Sequence, residues 1–305
     1  MTVTAALVKD LRTKTGAGMM DCKKALVEVD GNFEAAVDWL RTKGLAAAAK
    51  KADRLAAEGL TATCVDGTKG AAIEINSETD FVAKNEVFQR IVKEVSELAV
   101  GQDSLESLKA TITKSGKSVE DEIVANIATI GENLNLRRMQ VVSVIDGVIA
   151  SYIHNASADN MGKIAVLVAL ESSGDKTKLM EVGKQIAMHI AAARPECLNK
   201  ESVDPALVQR EKDIFTQQSR ASGKPDNIIE KMIEGRIRKF LEEIVLLDQV
   251  FVIDGKTRIS DVIANLAKEL GTSVELKSYV RFELGECVEK EEKNFADEVA
   301  AVAKT

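Results

Sequence analysis

A two-strand hairpin followed by an amphipathic helix occurs twice in this chain, and that recurrence constrains its fold more than any other feature. Residues 60–65 and 71–75 are apolar runs of strand length flanking Asp66-Gly67-Thr68-Lys69-Gly70, which has the chemistry of a hairpin turn. Phe88, Ile91, Val92, Val95, Leu98 and Ala99 then follow the helical period, predicting a helix over 86–100. Roughly 90 residues later the pattern returns, with strand-like runs at 148–152 and 164–170 and an amphipathic helix over 179–193. Between the copies, 119–130 reads as a helix and 139–144 as a strand. Hairpins without an alternating βαβ series predict an α+β protein whose duplicated core has an antiparallel sheet in each half.

Upstream, Leu7, Val8 and Leu11, then Ala25, Leu26 and Val29, then Phe33, Ala36, Val37 and Leu40 form three apolar stripes, separated by a turn at 16–18 and by Asp30-Gly31. A small three-helix bundle is predicted. The Ala-rich, basic stretch 45–57 reads as its helical linker, with the boundary near residue 54. Downstream, 203–222 and 228–247 read as an antiparallel helical hairpin joined by Gly223-Lys224-Pro225-Asp226, which neither helix could pass through unbroken. Ile229, Ile233, Ile237, Phe240 and Ile244 approximate a coiled-coil seam, which fits a hairpin closed on itself or one that pairs two subunits. A helix at 260–270, a strand at 274–282 and a charged helix at 291–303 complete the reading.

At 305 residues, 45% hydrophobic and 29% charged, the chain can hold two or three packed units. Its net charge of -7 argues against broad nucleic-acid binding, because phosphates repel an acidic surface. The basic runs at Lys50-Lys51 with Arg54 and at 236–239 read as solvated helix faces. Cys22, Cys64, Cys197 and Cys287 are scattered, without metal-ligand spacing, and no apolar signal-peptide core opens the chain. A cytoplasmic protein is expected, without membrane attachment. With two histidines, no Walker or Rossmann glycine pattern and no Ser-His-Asp order, neither cofactor, metal site nor covalent chemistry is expected.

The chemistry-bearing stretch is 74–85, Glu-Ile-Asn-Ser-Glu-Thr-Asp-Phe-Val-Ala-Lys-Asn. Read as a strand-to-helix corner, it makes Thr79 a helix cap and puts Asp80 and Phe81 in the first turn. Physics alone leaves two readings open. Asp80 favours the helix dipole while Phe81 packs into the core, or the pair reaches for another molecule.

The segment 74–84 resembles a signature of the elongation factor Ts family. So does Leu11-Arg12 with Thr15-Gly16-Ala17-Gly18-Met19-Met20-Asp21-Cys22-Lys23-Lys24-Ala25-Leu26. The likeness continues through Ile130-Gly131-Glu132-Asn133 with Arg137-Arg138, through 186–192 and through Ser222-Gly223-Lys224-Pro225, covering nearly the whole chain.

That resemblance implies a guanine nucleotide exchange factor for elongation factor Tu in translation elongation, binding its GDP-bound and nucleotide-free forms and acting by binding alone. It makes the bundle a ubiquitin-associated-like domain (1–54). The core then divides into subdomain N (55–144) and subdomain C (145–200 and 248–284), with a helical arm (201–247) and a C-terminal module (285–305). It assigns nucleotide release to Thr79, Asp80, Phe81 and Val82, docking to Arg12, Met19, Met20 and His189, and in some members subunit pairing, as a homodimer or a two-plus-two complex. Two rivals stand beside it: a noncatalytic adaptor using the three-helix domain, and an enzyme working through Asp80, Glu78 and Lys84. The polar stretch 101–117 matches no family motif, and 154–160 reads as an unusually long hairpin loop.

Overall fold

The computed structural model describes residues 3–15, 17–220 and 226–288. The expected Gly16, the turn at 223–225 and the helix at 291–303 lie outside the described residues.

Three helices open the chain: α1 (Ala5–Thr15), α2 (Met19–Glu28) and α3 (Phe33–Ala49). Val8, Leu11, Cys22, Ala25, Leu26 and Ala36 bury against one another between them. Asp30 and Gly31 take positive φ values of 52° and 81° at the α2–α3 turn. Asn32 caps α3 by accepting from the Ala35 N–H at 3.0 Å. The expected helical linker is only partly helical: α3 absorbs 45–49, then the chain turns. Beyond that turn the Asn133 amide holds the non-helical stretch, donating to the carbonyls of Ala52 (3.3 Å) and Arg54 (2.8 Å).

The core repeats one order of elements. In the first half β1 (Glu58–Asp66) and β2 (Lys69–Ser77) form a hairpin, followed by α4 (Glu86–Ala99), α5 (Leu105–Ala110), α6 (Val119–Ile130) and β3 (Asn135–Ser143), which pairs with β2. In the second, β4 (Gly147–Ala158) and β5 (Met161–Glu171) lead to α7 (Lys176–Ala193), the helices α8 (Pro205–Arg220) and α9 (Asp226–Ile244), then α10 (Ile259–Leu270) and β6 (Glu275–Glu283), which pairs with β5. Each third strand thus returns to the second strand of its hairpin.

The two sheets expected are one. β1 pairs with β5 through Thr61↔Gly162 and Ala62↔Met161, joining both halves into a six-stranded antiparallel sheet. Helices α4, α5 and α6 cover one face of the first half, where Leu60, Ile73, Ile75, Phe88, Val92 and Ile123 are buried together. Helices α7 and α10 cover the second, with Val166, Val168, Leu170, Ile186, Ile190 and Leu266. The remaining faces meet in a third cluster of Ala72, Val142, Ile149, Leu167, Ala169 and Phe282. Buried on both sides, β5 reads as an apolar run rather than as an alternating strand, while β2, equally buried, also takes Glu74, Asn76 and Ser77 inside. Gly183 lets α7 approach the sheet, since a Cβ there would stand 2.7 Å from the Ala150 Cβ.

The long loop expected at 154–160 is strand instead. β4 runs to Ala158, with a register shift between Ala156 and Ala158, and Asp159-Asn160 makes a two-residue turn with Asn160 at φ 58°. The short helix α5, in the stretch that matched no motif, is capped by a reciprocal pair of hydrogen bonds between Ser104 and Ser107. In the arm, Val203, Leu207 and Val208 pack with Phe240, Leu241 and Ile244, while Arg236 bonds Gln218 at 3.1 Å, so α8 and α9 run antiparallel.

Candidate functional site

The signature segment 74–84 divides into an inner and an outer part. Glu74, on β2, is fully buried. It meets Arg137 at 3.1 Å and Arg138 at 2.6 Å on β3, and accepts from the Asn76 amide and the Gly285 N–H, both at 2.9 Å. Burial alone would push its carboxyl up, but the Gly285 N–H, the Asn76 amide and the Arg138 guanidinium together hold it below the usual carboxylate range. Arg138 also stacks 4.2 Å over the Phe282 ring and bonds the Glu283 carbonyl at 2.8 Å. This cluster fastens the two halves of the core together.

The outer part begins where β2 ends at Ser77. Its Oγ donates to the Thr79 carbonyl at 2.9 Å, a 3-10 turn follows at Val82–Lys84, and α4 starts only at Glu86. Thr79 is therefore not the helix cap expected. Asn85 is, accepting from the N–H groups of Val87 (2.8 Å) and Phe88 (3.2 Å). Thr79 is instead held by the Glu132 carboxylate, through its N–H at 2.9 Å and its hydroxyl at 2.6 Å. Asn133 donates its N–H to Glu78 at 2.7 Å, and Arg54 faces the same carboxylate at 3.5 Å.

On this turn Val82 points inward, 5% exposed among the first-half core, while Phe81 is 79% exposed and Asp80 is exposed beside it. The reading that sank Phe81 into the core and set Asp80 in the first turn of a helix is corrected by these positions. A single exposed apolar residue is ordinary, but this one stands on a turn anchored by Val82 and tied by Glu132 and Asn133. Glu78, a member of the rival enzyme reading, is committed to Asn133 and Arg54. Among the described residues no group of three or more His, Cys, Asp or Glu side chains could hold a metal ion, and no helix is long and apolar enough to cross a membrane.

The other residues singled out by sequence fall into two environments. Arg12 is exposed on α1, and Met19 and Met20 at the start of α2 are 51% and 74% exposed, outside the bundle core. His189 is fully buried. Its Nδ1 accepts from the Val252 N–H at 3.2 Å, so its proton is on Nε2, which reaches the Gln249 amide oxygen at 2.8 Å. Burial lowers its pKa against the opposing pull of Gln249, keeping the ring neutral. His189 thus touches no solvent and instead fixes the loop whose Val250, Val252 and Ile253 are about half exposed, while its neighbour Met188 on α7 is 44% exposed.

Sequence reading passed over these loop residues, and it quoted Glu132 within the family likeness at 130–133 without giving it a role. The signal for the first was available: Val250, Phe251, Val252 and Ile253 form an unbroken apolar run too short for a helix, followed by a turn at Asp254-Gly255. For Glu132 the motif marked the residue but nothing local told its role, because its partner is 53 positions away.

The family model Elongation factor TS matches residues 78–286. The Elongation factor Ts of Rickettsia felis (strain ATCC VR-1525 / URRWXCal2) is 57% identical over 303 residues, 99% of this chain and 98% of that protein. That of Rickettsia bellii (strain OSU 85-389) is 59% identical with the same coverage. Matched over most of its length by the family and almost end to end by these relatives, the chain belongs to the elongation factor Ts family.

Proposed function

We propose that this chain releases GDP from elongation factor Tu, the exchange activity its family implies in translation elongation, by inserting the turn that carries Asp80 and Phe81 beside the nucleotide. A GTPase holds nucleotide through backbone N–H groups of its phosphate loop and through Mg²⁺ bridging the phosphates, so a partner can hasten release by disturbing either support. Phe81 enters an apolar gap in the partner's nucleotide domain, and Asp80 displaces groups that position the Mg²⁺ shell. Thr79 and Val82 hold the turn from either side. The observation that carries this reading is the 79% exposure of an aromatic on a turn anchored in the core.

Linkage limits the account, since a factor that weakens nucleotide binding is itself weakened by nucleotide in the same ratio. Burying Phe81 contributes about 1.5–3 kcal/mol, too little to offset the lost phosphate and metal contacts alone. Further docking comes from Arg12, Met19 and Met20 on the bundle, which acts here as the family's ubiquitin-associated-like domain. Flexible Met side chains adapt to a partner surface and Arg is frequent at interface hot spots. His189 contributes indirectly, by presenting Val250, Val252 and Ile253.

The test is release of a fluorescent GDP from purified elongation factor Tu with and without this chain. Catalytic acceleration at substoichiometric amounts is expected. Binding with an unchanged release rate would replace exchange by the adaptor reading, and turnover of a small molecule without the GTPase would favour an enzyme.

A further inference from the structure

The 78–81 turn is closed by its own backbone only on the α4 side, where the Asp80 and Phe81 carbonyls accept from the N–H groups of Ala83 (3.3 Å) and Lys84 (3.1 Å), and the side at Glu78 and Thr79 is held by other segments. Glu132 provides both oxygens to Thr79, at 2.9 Å to the N–H and 2.6 Å to the hydroxyl. Asn133, one residue on, takes Glu78 through its N–H and the carbonyls of Ala52 and Arg54 through its amide. Lys51 completes the junction by donating to the Gly131 carbonyl at 2.5 Å. Three separate segments meet here: the chain leaving the N-terminal bundle, the turn bearing Asp80 and Phe81, and the residues just past α6.

Helix stability does not explain the acid. Glu132 follows Gly131, the left-handed cap of α6 at φ 90°, and a carboxylate at a helix C-terminus opposes the macrodipole. Its place makes sense through what it binds. A turn held in one conformation before encounter avoids the ordering cost that a loose one would meet on binding.

We propose that Glu132 and Asn133 are positioning residues for nucleotide release, aiming Phe81 and coupling its turn to the segment by which the chain leaves the bundle. This rests on the exchange reading of Asp80 and Phe81, and the experiment separates the two. Amide hydrogen exchange of the free, full-length chain reads the turn without any partner. GDP release from elongation factor Tu reads function.

Glu132→Ala should raise exchange at amides 79–84 about tenfold or more, sparing β2 and the middle of α4, and should slow GDP release roughly tenfold, the loss of hydrogen bonds to a charged group. Glu132→Gln, whose amide oxygen still accepts from the Thr79 N–H, should retain release within about threefold. In a Phe81→Ala background, Glu132→Ala should add less than about twofold, because residues acting through one another are not additive. An equal loss in both backgrounds, or unchanged amide exchange at 79–84, would overturn the proposal. If the unaltered chain fails to accelerate GDP release, the exchange reading falls, and the amide comparison still decides the positioning role.

Discussion

The two halves of the core share one plan and differ most where their second strand hands over to a helix. After β5 the chain crosses residues 172–175 and enters α7, capped by Asp175, whose carboxylate accepts from the Lys178 N–H at 2.9 Å. After β2 it takes 78–85, twice the length, before Asn85 caps α4 in the same manner. The caps are equivalent, and the extra residues between strand and cap include Asp80, Phe81 and Val82. Folding a hairpin onto its helix does not require them, as the second half demonstrates. A longer connection on a rigid frame is where binding residues accumulate. The strands differ too: β5 is apolar from 164 to 170, whereas β2 carries the buried Glu74.

The sharpest way to break the comparison is Glu74→Ala, which leaves Arg137 and Arg138 beside an emptied site and should cost about 3–5 kcal/mol, read by denaturant unfolding. A comparable truncation in β5, Val168→Ala, should cost less, about 2 kcal/mol, because no charge is left unpaired. The Glu74 contribution is also pH-dependent. A carboxyl held below its unfolded value adds stability above that value and loses it as pH falls through the folded one. The advantage of the native chain over Glu74→Gln should therefore be full at neutral pH and shrink below about pH 4.3.

Next in size is Phe81→Ala, expected to weaken binding to nucleotide-free elongation factor Tu by about 2 kcal/mol, roughly thirtyfold, by calorimetric titration. Its unfolding temperature should stay near the native value, since the ring is exposed. A drop in stability matching the binding loss would mean that the long junction serves folding after all. Asp80→Ala should mainly slow GDP release, and removing Mg²⁺ with a chelator should narrow its gap to the native chain. A gap of undiminished size without Mg²⁺ would reject the metal role.

A smaller effect tests the equivalence of the caps. Asn85→Ala and Asp175→Ala should each cost about 1 kcal/mol of stability, but only the first should also slow GDP release. Equal effects on release would erase the distinction between the junctions. Smallest is the response of His189, whose lowered pKa means that its neutral form supports the fold above about pH 6.5 and that this support fades as pH falls. Protection factors of amides 250–253 should decline on acidification below about pH 6.5.

Much of the fold was legible along the chain because it is written in local periods. The three bundle stripes and α4, α6, α7 and α10 follow from a period near 3.6 read over a dozen residues, and both hairpins from apolar runs of strand length. The 74–84 segment could also be quoted as a unit, although not its partition. Periodicity does not say that Glu74 faces inward to Arg138 while Phe81 faces out, and it named Thr79 as a cap in place of Asn85. His189 shows the same limit from the other side: the family resemblance assigned it to docking, and no period along the chain says that it is fully buried.

What the amino-acid sequence determined by itself is the set of elements and their duplicated order, since each is favoured by neighbours a few positions away. Tertiary structure alone decided the joining of two sheets at Thr61 and Gly162, the Glu74 contact to Gly285 across 211 positions and the hold of Glu132 on Thr79. Those contacts depend on where finished elements come to rest, and a turn without a repeating pattern takes its shape from whatever packed group satisfies its backbone.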